Sequence, residues 1–131
     1  MEKKEAFVEG RYVDADGVRT YYIEQGRGPA LVLLHGGAVG VTAESAFFRQ
    51  IEALSDAFRV IAFDQICFGR TDMPKDGKHR NRLVRVDHAL AFLKALGVTR
   101  AAIAGHSEGG FMAARMAITH PDLVSHLIVI S

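Results

Sequence analysis

The chain has no tryptophan, one cysteine and three prolines among its 131 residues. A single thiol excludes an internal disulfide framework and a Cys-x-x-Cys metal knuckle, and it suits a reducing compartment. Charge of one sign is also lacking: 16 Lys and Arg against 15 Asp and Glu leave a formal net charge of +1. That balance provides neither a basic face for nucleic acid nor an acidic tail. No apolar run reaches the length of a membrane span. The opening residues, MEKKEAFVEG, contain no apolar core of a signal peptide, so a cytoplasmic protein with no membrane partner is expected. No His, Cys, Asp or Glu group has metal-ligand spacing, and neither G-x-G-x-x-G nor G-K-[ST] occurs. No metal and no cofactor are therefore expected.

What is present is an ordinary globular balance, 49% hydrophobic and 24% charged, in a length that suits one domain over residues 1–131. Phe7–Val13 and Val18–Glu24 are β-rich and flank Asp14-Ala15-Asp16-Gly17, a hairpin signal. Ala30–Leu34 is a continuous apolar strand that stops at His35-Gly36-Gly37. Ala43–Phe58 has a helical pattern, with Phe47, Ile51, Leu54 and Phe58 on one face. Arg59–Phe63 is a strand ending at Asp64, and Gln65–Lys78 is a long loop. Arg82–Leu96 reads as an amphipathic helix with Leu83, Val86, Leu90 and Leu93 inward, stopped by Gly97. The locally basic stretch Lys78–Arg85 at its start reads as a solvated face.

Ala101–Ala104, a sharp turn and the helix-forming run Phe111–Ile118 come next, and Val124–Ile130 is the last strand. This alternation predicts an α/β fold, a mostly parallel sheet with flanking helices. Leu127-Ile128-Val129-Ile130 is apolar at every position, as in a central strand buried on both faces. With only Ser131 after it, the sheet reads as interrupted.

Gly105-His106-Ser107-Glu108-Gly109 fits G-x-S-x-G with a strand before it and a helix after, the context of a nucleophile elbow. The alternative is a chance match in a chain rich in glycine and alanine. Gly36-Gly37 is either a bare strand-ending turn or a loop that leaves its backbone open to a carbonyl group.

Three segments in order, LVLLHGG (Leu31–Gly37), DQICFGRTD (Asp64–Asp72) and AGHSEGG (Ala104–Gly110), resemble the α/β-hydrolase superfamily. The resemblance spans essentially the whole chain, which looks like the amino-terminal half of such an enzyme, a core ending after the sixth strand. His35–Ser45 with Phe68–Asp72 is most similar to the meta-cleavage-product hydrolase and esterase-like branch. Ala38, Val39 and His106 depart from that branch's pattern, and Cys67 stands where the family usually has glycine.

The resemblance implies Ser107 as nucleophile, with an oxyanion hole from the backbone N–H groups of Gly37 and Glu108. It implies His35, Gly36 and His106 as supports of the loop and pocket, and Asp64 and Asp72 as loop-fixing acids. The acid and the histidine of a triad should follow the serine in this family. After Ser107 stand only His120, Asp122 and His126, in or beside the last strand. The expectation is a serine hydrolase of ester or related acyl and carbon–carbon substrates that lacks its acid–base half. The alternatives are a non-catalytic module that pairs, with itself or a complementing chain, through strand Val124–Ile130, or a truncated product without function.

Overall fold

In the computed structural model, which describes residues 9–131, six strands form one sheet. The elements are β1 (Arg11–Ala15), β2 (Val18–Gln25), β3 (Ala30–Leu34), α1 (Ala43–Leu54), β4 (Arg59–Phe63), α2 (Arg82–Ala95), β5 (Ala101–His106), α3 (Glu108–Thr119) and β6 (Val124–Ile130). Phe7 and Val8, expected at the start of the first strand, lie outside the described residues. The strand order is β1-β2-β4-β3-β5-β6. The β1–β2 and β2–β4 ladders are antiparallel; the β4–β3, β3–β5 and β5–β6 ladders are parallel. The protein is thus α/β with a mostly parallel sheet, as the alternating pattern predicts.

Side chains of the strands divide between two cores, because successive residues point to opposite faces. Leu31, Leu33, Val60, Ala62 and Ala104 pack with Phe47 and Ile51 of α1. Val32, Leu34, Ile61, Phe63 and Ile103 pack on the other face with Phe92 and Leu93 of α2 and Met112 and Met116 of α3. The first two helices start on side-chain caps. Thr42 Oγ1 accepts from Ser45 N–H at 3.0 Å while Ser45 Oγ accepts from Thr42 N–H at 2.9 Å, a reciprocal box. Asn81 Oδ1 accepts from Leu83 and Val84 N–H at 3.0 and 3.1 Å.

Several expectations are corrected. The first helix ends at Leu54, and Phe58 packs against its core from the following turn. The third begins at Glu108, so Gly109 and Gly110 are helical. Leu83 is exposed; the inward face of α2 is Arg85, Val86, His88, Ala89, Phe92 and Leu93. Strand β6 pairs only with β5 and stands at the edge of the sheet, with Leu127 to Ile130 between 43% and 57% exposed. Its composition suits burial on both faces, yet α3 covers one face alone: Val129 lies against Gly110, and Ile128 and Ile130 line an open groove beside α1.

Candidate active site

Strand β5 enters a turn at Ser107 whose backbone, φ 55° and ψ −118°, lies outside the regions L-residues prefer. Hydrogen bonds hold it there. Ser107 N–H donates to Ile130 O at 2.8 Å, and Ser107 C=O accepts from Gly110 N–H at 2.8 Å and Phe111 N–H at 3.2 Å. Close packing requires the flanking glycines: a Cβ on Gly105 would collide with the carbonyl of Gly109, and one on Gly109 with that of Leu34. The Ser107 side chain is exposed and its hydroxyl has no hydrogen-bond partner among the described residues. Because alanine keeps the strain and glycine removes it, Ser107→Gly should raise stability by about 1 kcal/mol and Ser107→Ala leave it nearly unchanged. Urea unfolding of both variants at constant m-value checks this.

Facing the elbow, the loop after β3 is braced from below. His35 is fully buried; its Nδ1–H donates to Gly36 O at 2.7 Å and its Nε2 accepts from Gln65 N–H at 3.1 Å. Those partners fix the tautomer, and burial pulls the imidazole below its ordinary pKa, keeping it neutral. The Gln65 side chain closes the ring, its Nε2 donating to His35 O at 2.7 Å. Its Oε1 receives the Arg85 fork, from Nε at 2.8 Å and from Nη2. Arg85 Nη2 also reaches Gly36 O at 3.4 Å, and Nη1 reaches Glu108 Oε2 at 3.4 Å. Arg82 Nε approaches the same Glu108 oxygen at 4.0 Å. The Arg85 guanidinium lies over the Phe68 ring, 4.8 Å from its centroid.

Gly37, Ala38, Arg80, Asn81, Arg82, Arg85, Ser107 and Glu108 thus line one cleft of about 390 Å³. Neither Gly37 N–H nor Glu108 N–H donates to a protein acceptor among the described residues, and Glu108 opens α3 at the positive end of the helix dipole. Gly36 abuts the elbow, since a Cβ there would sit 3.4 Å from Ser107 Cβ.

His106 projects away from this cleft. It lines an apolar groove of about 440 Å³ with Leu33, Phe47, Ile128 and Ile130, its Nδ1 would lie 3.6 Å from a Cβ on Gly36, and it makes no hydrogen bond among the described residues. Asp64 fixes its surroundings as an acid should: Oδ1 accepts from Ala43 N–H at 2.8 Å and Oδ2 from Arg70 N–H at 2.9 Å. Asp72 is exposed and held through its backbone. Cys67 adopts φ 78° although it carries a Cβ, and its thiol donates to Lys78 O at 3.7 Å. His126 pairs with Ala102, at the far end of β5 from Ser107, and His120 and Asp122 occupy the turn after α3.

Arg85, Gln65 and His88 are site-supporting residues the sequence reading passed over. One signal was available: Arg85, His88, Ala89 and Phe92 recur at helical spacing, and the last two are apolar.

A largely parallel sheet with a strained serine between β5 and α3, facing a glycine loop after β3, defines an α/β protein with a sharp strand–serine–helix turn above its sheet. A model of the alpha/beta hydrolase fold matches residues 29–131, and the chain belongs to that family. It is 39% identical over 120 residues to a 2-hydroxymuconate semialdehyde hydrolase of Pseudomonas sp. strain CF600, covering 92% of this chain and 42% of that protein. It is 35% identical over 129 residues to a 2-hydroxy-6-oxo-6-(2'-aminophenyl)hexa-2,4-dienoic acid hydrolase of Metapseudomonas resinovorans, covering 98% and 44%. Among solved structures it superposes with a serine hydrolase involved in carbazole degradation at a TM-score of 0.87 and 34% identity, covering 95% of this chain and 47% of that one. The chain therefore spans less than half the length of these relatives. Among the described residues no helix is long and apolar enough to cross a membrane.

Proposed function

We propose that this chain carries the nucleophile and oxyanion half of a serine hydrolase that acts on small-molecule esters or related acyl and carbon–carbon substrates. The observation that carries this reading is the strained, unpartnered Ser107 in one cleft with the undonated N–H groups of Gly37 and Glu108. In this mechanism Ser107 Oγ attacks the substrate carbonyl and its proton passes to a base. The carbonyl π pair becomes an oxyanion that the two N–H groups receive. Collapse expels the leaving group and leaves an acyl-enzyme, which water hydrolyses to regenerate the serine. One relative is a hydrolase of a dienoic acid, and arginines at 80, 82 and 85 along the cleft suit an acyl substrate that carries a carboxylate.

The base and its orienting acid come from outside residues 9–131 in this reading. His35 is committed on both ring nitrogens, His106 faces the other side of the sheet, and His126 lies at the far end of β5. Loss of the base in serine hydrolases lowers turnover by roughly 10⁴–10⁶. The isolated chain should therefore be labelled slowly at Ser107 by a fluorophosphonate, as read by intact and peptide mass, and Ser107→Ala not at all. Addition of a chain carrying the remaining strands should accelerate labelling. Labelling at another residue overturns the nucleophile assignment; brisk Ser107-dependent turnover of an activated ester by the purified monomer overturns the missing base.

A second reading rests on β6. Its exposed apolar residues and the groove beneath Ile128 and Ile130 offer an unpaired strand edge to a second copy or a complementing chain. Sedimentation across a wide concentration range tests it, and a monomer throughout counts against self-pairing.

A further inference from the structure

We infer that Arg85, acting with His35, sets the orientation of the Gly36–Gly37 peptide and so aims the Gly37 N–H into the cleft above Ser107. The inference deepens the serine-hydrolase reading and rests on it for its catalytic meaning. A trans peptide is planar, with its C=O and N–H pointing in opposite directions. Whatever holds the Gly36 carbonyl therefore also points the Gly37 N–H. Two groups hold that carbonyl from the protein side: His35 Nδ1–H at 2.7 Å and Arg85 Nη2–H at 3.4 Å. Neither Gly36 nor Gly37 has a side chain to restrict the peptide, so without these donors little opposes its rotation.

His35 alone is a weak restraint, because it belongs to the same loop and would move with it. Arg85 is anchored elsewhere. It projects from α2, is buried to 5% exposure, and its fork is seated on Gln65 Oε1 at the end of β4. Its remaining nitrogen meets Glu108 Oε2 at 3.4 Å, so one guanidinium connects the residues that bear both undonated N–H groups. Contact is close on the Gly37 side as well: a Cβ there would stand 3.5 Å from Arg85 Nη1 and 3.1 Å from Glu108 Cγ. A guanidinium can make these four contacts together because its donors are rigid and coplanar; an ammonium cannot. Arg85 is thus a positioning residue, acting through the peptide it holds.

The test uses ¹⁵N-labelled protein of the full 131-residue chain. In wild type the Gly37 amide should be as rigid as the core, with an order parameter near ~0.85, and in Arg85→Met it should fall below about 0.6 or broaden by exchange. Core amides such as Val32 and Ile61 should not change. Fluorophosphonate labelling of Ser107 should slow about tenfold in the maximal rate constant, with the half-saturating probe concentration unchanged, as for a misaligned oxyanion donor. Arg85→Lys keeps the charge and the aliphatic stem should Arg85→Met not fold. It should loosen Gly37 as well, because it cannot serve Gly36 and Gln65 together. A Gly37 amide as rigid as wild type in either folded variant overturns the inference. A loosened Gly37 with no Ser107 labelling in any protein, wild type included, supports the positioning role and refutes the serine-hydrolase reading instead.

Discussion

Gly109→Ala is expected to destabilise the protein by about 4 kcal/mol or more, enough to leave it largely unfolded. The added methyl would run into the backbone carbonyl of Leu34, with that of His35 at 2.7 Å. Neither obstacle is a flexible side chain, so relief requires α3 to lift away from β3. That movement would open the core formed by Met112, Ala113 and Met116 on Val32, Leu34 and Ile103. The neighbouring position makes the control. A Cβ on Gly110 would meet Val129 Cγ1 at 3.0 Å, the end of a side chain on a strand with an open face, and the Gly105 carbonyl oxygen at 3.2 Å, tight contacts that shifts of a few tenths of an ångström relieve. Alanine also gains up to about 1 kcal/mol over glycine in a helix, so Gly110→Ala should be within roughly 1 kcal/mol of wild type. Urea denaturation of the two variants side by side separates a steric requirement from a general dislike of change in the elbow. Equal, small effects would show that α3 can be displaced cheaply, and would remove the packing argument for the second glycine of G-x-S-x-G.

That close approach of α3 to β3 is the physical content of a motif that could be recognised from five letters. The elbow, the order of strands and helices and the glycine loop after β3 were legible because each is encoded locally, by apolar runs, turn residues and glycine. The face of α2 was not. Pattern reading turns charged residues outward, so Leu83 was placed in the core and Arg85 on the surface, and the structure reverses both. The reason is tertiary: α2 begins beside the carboxyl ends of β3 and β4, where the polar groups of Gly36 and Gln65 need partners, and an arginine satisfies them where a leucine could not. Strand β6 misleads in the opposite sense. Its residues are those of a buried strand, and its edge position follows from which neighbours are present, which strand composition does not encode. The histidines illustrate the same limit. His35 and His106 stand in similar glycine-flanked contexts, yet one is locked in a hydrogen-bond ring and the other faces an apolar groove.

Acid should weaken this fold by a route that runs through His88 and into the site. His88 lies between α2, β2 and the loop after β4: its Nδ1 accepts from Ile66 N–H at 3.1 Å, so its Nε2–H donates to Thr20 Oγ1 at 2.9 Å, and that hydroxyl in turn donates to Val18 O. The bond that Nδ1 accepts from Ile66 N–H requires the neutral ring, and burial pushes its pKa from 6.5 down to about 4. With a folded pKa below the unfolded one, the unfolded chain takes up the proton first as pH falls. The contribution is therefore complete above about pH 6.5, declines as pH drops toward 4 and is fully lost below it, roughly 3 kcal/mol in all and about 2 kcal/mol by pH 5. His35, shifted in the same direction by burial, adds a loss of the same sign. Asparagine can keep an acceptor for Ile66 N–H without a titrating group. Unfolding free energies of His88→Asn between pH 7.5 and 4.5 should fall clearly less steeply than those of wild type, and an unchanged slope would show that other groups govern the acid limb. Since Ile66 follows Gln65 directly, protonation at His88 pulls on the residue that seats Arg85 and hydrogen-bonds His35. Order at Gly37 should consequently be lost in wild type before global unfolding as the pH is lowered, and be retained to lower pH in His88→Asn.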